Sequence, residues 1–398
     1  MKLNKSVVGG SIILLLTYNI YNALNFIFQF SMARLLPVIE YGVLVTLFSI
    51  IYILTIFSES IQTVLTKYSS FENDKAKLKN IFKKSLRKSL FVSSILFLIY
   101  VILSIPLSSL LKIDYSLLLL NGLVIFAFFL VPVGRGVMQG RKMFKSLGIN
   151  LIFESIIKLI LAIVFVLIGW KVYGAVAATI LAVFFTFFFS FIQLKSITQQ
   201  SEKKAQTPDI YGYTKPVFFM ILFITAFYSL DVIIARIVFT EEISSYYAIA
   251  SILAKTVFWG TQPISKAMFP LSAQNNKGKK DKNILPSSFG LLLCLLAIGL
   301  TIIYFFPEFL IKIFTGKSIQ ASSDILFYLS CAMAILSLSN LLVLHKLSIG
   351  KIKGYLYFAA LIALEIALLF IFSQSLLEYS IAMIVASTSF LIGSILLK

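Results

Sequence analysis

Apolar stretches of about 20 residues follow one another along the whole of this 398-residue chain, and that recurrence limits its fold more than any motif does. A hydrocarbon core of ~30 Å takes roughly 17 to 25 helical residues to cross. Stretches of that kind fall at 6–31, 41–66, 90–111, 115–138, 149–170, 172–194, 216–239, 243–268, 284–306, 322–345, 354–374 and 376–397. Lipid offers no partner to backbone N–H and C=O groups, so a spanning segment must be a helix or part of a closed barrel. Long apolar runs without two-residue alternation select the helix. The expected fold class is therefore all-α integral membrane, with about 12 transmembrane helices. A soluble fold is excluded: 59% of residues are hydrophobic, mean hydropathy is +0.97, and 13% are charged where soluble domains carry about 25%.

The formal charge of +19 raises nucleic acid as a partner, so the placement of Lys and Arg has to decide. Threaded with the N-terminus inside, 27 of the 35 basic residues fall on the cytoplasmic side, among them eight from Lys67 to Lys88, four from Arg135 to Lys145 and five from Lys266 to Lys282. That is the positive-inside pattern of a multi-pass protein in the cytoplasmic membrane, with both termini cytoplasmic, and nucleic acid drops out. Segment 75–88, KAKLKNIFKKSLRK, reads first as an orienting cytoplasmic loop and second as an amphipathic lipid-binding helix. The opening MKLNK and its apolar run resemble a signal peptide, yet no small-residue cleavage site closes the run, and a retained first helix is expected. Cys294 and Cys331 lie in spans and define neither a disulfide framework nor a metal site.

The connection 195–215, KSITQQSEKKAQTPDIYGYTK, is the longest polar one and follows six of the spans. It divides the chain into an N-terminal lobe, 1–200, and a C-terminal lobe, 201–398. Six spans per lobe would make an internal repeat parallel. GRKMFK precedes a span containing Glu154 and then VYGAVAATILA, as GKIK precedes a span containing Glu365 and then EYSIAMIVAS; ARLL before Tyr41 is matched by ARIV before Ser245.

Two stretches, FIFQFSMARLLPVIEYGVLVTLFS and GRGVMQGRKMFKSLGINLIFESIIKLILAIVFVLIGWKVYGAVAATILA, resemble the polysaccharide-biosynthesis (oligosaccharide flippase) branch of the MOP transporter superfamily, which also holds MATE exporters and lipid II flippases. The resemblance runs nearly the full length and rests on patterned hydrophobic text. It implies two six-helix bundles in a V around a central cavity, alternating access, and a polyprenyl-(di)phosphate-linked oligosaccharide as cargo for cell-surface glycan assembly. The lipid-linked saccharide, the bilayer and the enzymes of polysaccharide assembly are then the candidate partners.

Carrying a sugar head through lipid strands many hydroxyls, each costing roughly 2 to 7 kcal/mol without a partner, so the protein must line a polar path. Tyr18, Asn22, Asn25 and Gln29 follow one another at i, i+4, i+7 and i+11 and share an arc of about 60° on span 1. Lys255, Trp259, Gln262 and Lys266 repeat the spacing on span 8, and span 2 adds Glu59 with Tyr52, Gln62 and Thr63. Such stripes either face a cavity or bond between packed helices. Lys255, with Trp259 and Gln262, is the expected contact to the cargo's diphosphate and first sugar.

Glu154 and Lys158 stand i, i+4 on span 5 and are expected to neutralise each other. In lipid II flippases acidic and hydroxyl residues on spans 7, 11 and 12 build a sodium site, so the resemblance points to Asp231, Glu365 and Thr388 as a cation-binding trio, with sodium or a proton as coupling ion. A plain salt bridge from Asp231 to Lys255 competes with that reading. No cofactor, resident metal or enzymatic activity is expected: the single histidine, His345, borders a loop, and neither a nucleophile motif nor a metal cluster is visible. The alternative function is a MATE-like cation-coupled exporter of small molecules, which calls for an acidic, aromatic cavity.

Overall fold

The computed structural model describes residues 5–205, 215–275, 284–350 and 353–397. Most of the expected linker (206–214), the basic loop 276–283, part of the 346–353 loop and Lys398 lie outside them. Each expected span coincides with a helical segment. We number these α1 (Lys5–Leu35), α2 (Val38–Phe71), α3 (Lys75–Leu111), α4 (Tyr115–Gly140), α5 (Phe144–Phe165), α6 (Lys171–Gln193), α7 (Lys215–Val238), α8 (Glu241–Asn275), α9 (Ile284–Phe305), α10 (Gln320–Ser348), α11 (Tyr355–Ile371) and α12 (Leu376–Leu396). Among the described residues, eight helical segments are long and apolar enough to cross a bilayer, with α5 and α6 read as one of them. Local chemistry sets several ends. The Asp74 carboxylate accepts from the Ala76 N–H at 2.8 Å and opens α3, and the Ser375 hydroxyl accepts from the Glu378 N–H at 3.2 Å and opens α12.

Two compact units emerge, Met1–Glu40 with Leu54–Tyr213, and Tyr41–Ile53 with Thr214–Lys398. In the first, α1 packs along α5, α5 along α6, and α4 against α3 and α6. The α5–α6 hairpin reverses at Gly169, whose φ of +97° is open to glycine and strained for other residues, and at Lys171 with φ +47°. Its antiparallel register shows in Phe153 against Phe189, ring centroids 4.7 Å apart, and in Gln193 donating to the Ser146 carbonyl at 2.8 Å. On α4, Gly136 and Gly140 face α2 so closely that an added Cβ would meet the Gln62 carbonyl oxygen at 2.8 Å and press on the Thr66 carbonyl oxygen. Small residues at such seams let backbones approach, the usual route to tight packing in lipid.

In the second unit α10 is central, packed on α8, α9 and α12, while α11 lies against α7 and α12. Its buried serines return their hydroxyls to their own helix, as Ser330 does to Leu326 and Ser337 to Met333. Tilted and edge-on rings seal the other seam: Phe227 against Phe390 at 5.1 Å and Phe358 against Phe390 at 4.8 Å join α7, α11 and α12. Two turns beyond Phe358 on α11 comes Glu365, which this packing buries completely.

Candidate functional site

Among the described residues, each unit holds a cluster of polar and charged side chains within its helices. In the first, Arg135 of α4 donates through Nη2 to Glu154 Oε2 of α5 at 2.6 Å and through Nε to Asn150 Oδ1 at 2.8 Å. Asn150 passes its amide to Gln193 Oε1 at 3.0 Å and the Thr186 carbonyl at 3.3 Å on α6. One turn along α5 from Glu154, Lys158 donates to Asn25 Oδ1 of α1 and lies over the Phe28 ring, 4.7 Å from its centroid. Asn25 in turn donates to the Tyr21 carbonyl at 2.8 Å. Gln62 of α2 bonds Gln139 Oε1 at 2.8 Å, and Thr66 donates to the same oxygen at 3.3 Å. Tyr18, Glu59 and Gln62 stand within electrostatic reach of one another, with Arg135 beside them.

This arrangement corrects two expectations. Arg135 is not a loop cation: the Gly134 and Gly136 that flank it let α4 pack closely, and the side chain turns inward on a carboxylate. Glu154 therefore pairs with Arg135 and not with Lys158 one turn away, whose ammonium turns to Asn25 and Phe28 of α1. Lys158 lies among an amide oxygen, an aromatic face and, more distantly, Glu154. Of the span 1 stripe, Tyr18 and Asn22 are exposed, Asn25 is half-buried and Gln29 is buried; Glu59 is exposed.

The second cluster is drier. Lys255 of α8 meets Asp231 of α7 at 2.9 Å, both side chains 1% exposed. The other carboxylate oxygen of Asp231 accepts from Ser251 at 2.7 Å and Tyr247 at 3.2 Å, and Tyr379 of α12 donates to the Asp231 backbone carbonyl at 2.7 Å. Glu365 of α11 lies within electrostatic reach of both ions, and neither of its oxygens has a hydrogen-bond partner among the described residues. Thr388 is not part of the group: it is exposed and returns its hydroxyl to Ile384 at 2.8 Å, while its neighbour Ser387 is the buried hydroxyl.

Lys255 thus faces inward on an acid instead of lining a cavity. An ammonium at mid-span needs an anion, and Asp231 supplies it one helix away. The rest of the span 8 stripe separates from it. Trp259 is half-buried and meets Tyr52 edge-on at 6.0 Å, Gln262 is half-buried, and Lys266 is exposed. Sequence reading missed Arg135, Gln139, Asn150 and Gln193. The available signal was an arginine between two glycines inside an otherwise apolar span.

Among the described residues the chain is a multi-pass, helical membrane protein, and comparison with known proteins gives its family and its fold. The chain belongs to the polysaccharide biosynthesis protein family, whose sequence pattern matches residues 31–324. Its fold is similar to that of an inward-facing multidrug resistance MATE family transporter of the MOP superfamily (12% identity, 94% of each chain covered, TM-score 0.70). It is likewise similar to the lipid II flippase MurJ in an inward closed conformation (13% identity, 97% of this chain and 87% of that one, TM-score 0.67). A MOP superfamily transporter from Pyrococcus furiosus also superposes (14% identity, 98% and 94% covered, TM-score 0.59). A search of curated protein sequences gives no match.

Proposed function

We propose that this protein is a flippase that carries a polyprenyl-(di)phosphate-linked oligosaccharide across the cytoplasmic membrane by alternating access of its two lobes, 1–200 and 201–398. The observation that carries the proposal is Lys158, a half-buried ammonium midway along a span whose hydrogen-bond partner is a neutral amide. A lysine at that depth costs ~2.5 to 3.5 kcal/mol even on the lenient insertion scale. Its retention with an amide as hydrogen-bond partner, while Glu154 is taken by Arg135, fits a group kept for an anionic visitor, and a diphosphate is such a visitor. The amides of the same unit, Asn25, which Lys158 touches, and Asn150, Gln62 and Gln139, are of the kind that bond sugar hydroxyls. Membership of a polysaccharide-biosynthesis family and the likeness of the fold to a lipid II flippase support the same reading.

The second cluster is the proposed coupling element. Asp231 already holds Lys255, so a sodium ion or proton has Glu365 as the acceptor still without a hydrogen bond. Both termini and the linker face the cytoplasm in this proposal, and labelling of a cysteine placed at Gln206 from outside intact cells would reverse that threading.

The test of function is cell-surface glycan per unit of membrane-inserted protein. Lys158→Gln should leave insertion near normal and cut glycan export about tenfold or more, the loss expected for ~1.5 kcal/mol or more of a charge-assisted contact, while Lys158→Arg keeps part of it. Full export by Lys158→Gln at normal abundance would remove the anionic-cargo reading.

A further inference from the structure

Asn150, Glu154 and Lys158 follow one another at four-residue steps on α5 and share an arc of about 80°. On an isolated helix Glu154 and Lys158, at i and i+4 with the acid first, form a favourable pair. Here the carboxylate is drawn across to Arg135 of α4. We infer that Arg135 is a positioning residue: by holding Glu154 it keeps the Lys158 ammonium unneutralised for the anionic head of the cargo. The inference rests on the reading of Lys158 as the cargo's anion contact, and it names the group that makes that lysine available.

The guanidinium is aimed before it meets the acid. Asn150 donates its amide to Gln193 Oε1 at 3.0 Å and to the Thr186 carbonyl at 3.3 Å, which turns its own oxygen to Arg135 Nε at 2.8 Å. Gln193 is fixed in turn by its bond to the Ser146 carbonyl at 2.8 Å. With Nε placed, Nη2 reaches Glu154 Oε2 at 2.6 Å. The two side chains are 12% and 11% exposed, so water does little to weaken this charge-assisted bond.

The three charges leave a surplus of one. Arg135 and Glu154 cancel, while Lys158 rests on Asn25 Oδ1 and the Phe28 ring, neither of which carries a formal charge. Without Arg135 the sum is zero. Glu154 then has Lys158 one turn along its own helix, about 6 Å up the axis, a separation that two long side chains close. Among apolar helices the attraction is stronger than in water, and a charge there takes the counter-ion within reach. Lys158 would remain in place with its charge already satisfied.

An arginine that touched the cargo directly would produce the same loss when removed, so a second substitution has to separate the two roles. The test is binding of farnesyl diphosphate, a short polyprenyl diphosphate, to the purified full chain in neutral detergent by equilibrium dialysis, with uncharged farnesol as control. Lys158→Gln and Arg135→Gln should each weaken the diphosphate about tenfold, as expected for one charge-assisted contact, and leave farnesol unchanged. Adding Glu154→Gln to Arg135→Gln removes the acid that captures Lys158 and should return binding to within about twofold of the unaltered chain. If Arg135→Gln does not insert, Arg135→Lys takes its place: a lysine keeps the charge without the fork that spans both acceptors, so binding should fall about threefold and recover when Glu154→Gln is added. Unchanged diphosphate binding in Arg135→Gln, or a parallel loss of farnesol, would overturn the positioning role. So would a double variant that fails to recover while Lys158→Gln is weakened, and Lys158 would then stand as the anion contact alone. Full binding by Lys158→Gln would overturn both.

Discussion

Removing Lys255 tests what the second cluster contributes. Asp231 and Lys255 meet at 2.9 Å with 1% of each side chain exposed, so water cannot replace a missing partner. In Lys255→Met the Asp231 carboxylate keeps two neutral donors, Ser251 and Tyr247, but loses its counter-charge. Breaking a buried pair from one side costs about 3 to 5 kcal/mol, and that is the expected loss of folding stability. The converse variant should be milder. With Asp231→Asn the ammonium still has Glu365 within electrostatic reach, so about half the loss is expected, roughly 2 kcal/mol. Removing both charges together leaves neither member of the pair facing a missing partner, and the double variant should be more stable than the sum of the single losses by roughly 2 to 3 kcal/mol. Adding Glu365→Gln to Asp231→Asn takes away the substitute acid and should restore the full cost. The measurement is a double-mutant cycle on detergent-solubilised protein, followed by unfolding with a denaturing detergent. Wild-type stability in Lys255→Met, or strict additivity in the double variant, would show that the pair does not hold the unit together.

Two further outcomes follow from the geometry. Gly140→Ala drives a Cβ onto the Thr66 carbonyl oxygen, so α4 must shift from α2 and the Gln62–Gln139 bond must lengthen; a loss of about 1 to 3 kcal/mol is expected in the same unfolding assay, and an unchanged midpoint would mean the seam is loose. The linker's hold on α3 should depend on acid. The Ala76 N–H first, and Lys203 after it, keep the Asp74 carboxyl below its usual range, and hydrogen bonds from Lys83 and Asn80 do the same for Glu202. Folded-state values lowered in this way give an attachment that is complete above the ordinary carboxylate range and is lost as pH falls through the lowered values. Hydrogen exchange at the Ala205 amide, which donates to Asn80 at 3.1 Å, should therefore be protected at pH 6 and lose protection near pH 3 after correction for intrinsic rates. Equal protection at both values would detach the two carboxylates from the linker.

Helix placement was legible because hydropathy and length settle it without knowledge of neighbours: every expected span falls on a helical segment. What sequence did not contain is the rotation of each helix about its axis. Spacing identified Glu154 and Lys158 as neighbours on α5, but whether Glu154 looks along its own helix or across to Arg135 depends on how α4 packs, and that depends on Gly134, Gly136 and Gly140 in a helix read for its apolar residues alone. The resemblance that put Thr388 beside Asp231 carried no rotation either. A shift of one residue is 100° of rotation, enough to exchange the exposed Thr388 for the buried Ser387. Asp231 with Lys255 was anticipated as a competing reading, since a mid-span charge in lipid has few places to go. The net positive balance, by contrast, bears on the expected orientation and says little about either cluster.

The reversal at Gly169 and Lys171 has a consequence for how the chain is made. A turn this short gives the insertion machinery no tether between α5 and α6, so the first helix cannot settle in lipid while the second is still being synthesised in water. The two are expected to leave the translocation channel as one hairpin, the one in which Phe153 meets Phe189 and Gln193 meets Ser146. Arg135 then finds both of its acceptors, Glu154 and Asn150, already delivered on a preassembled pair, and the first cluster closes when α4 docks.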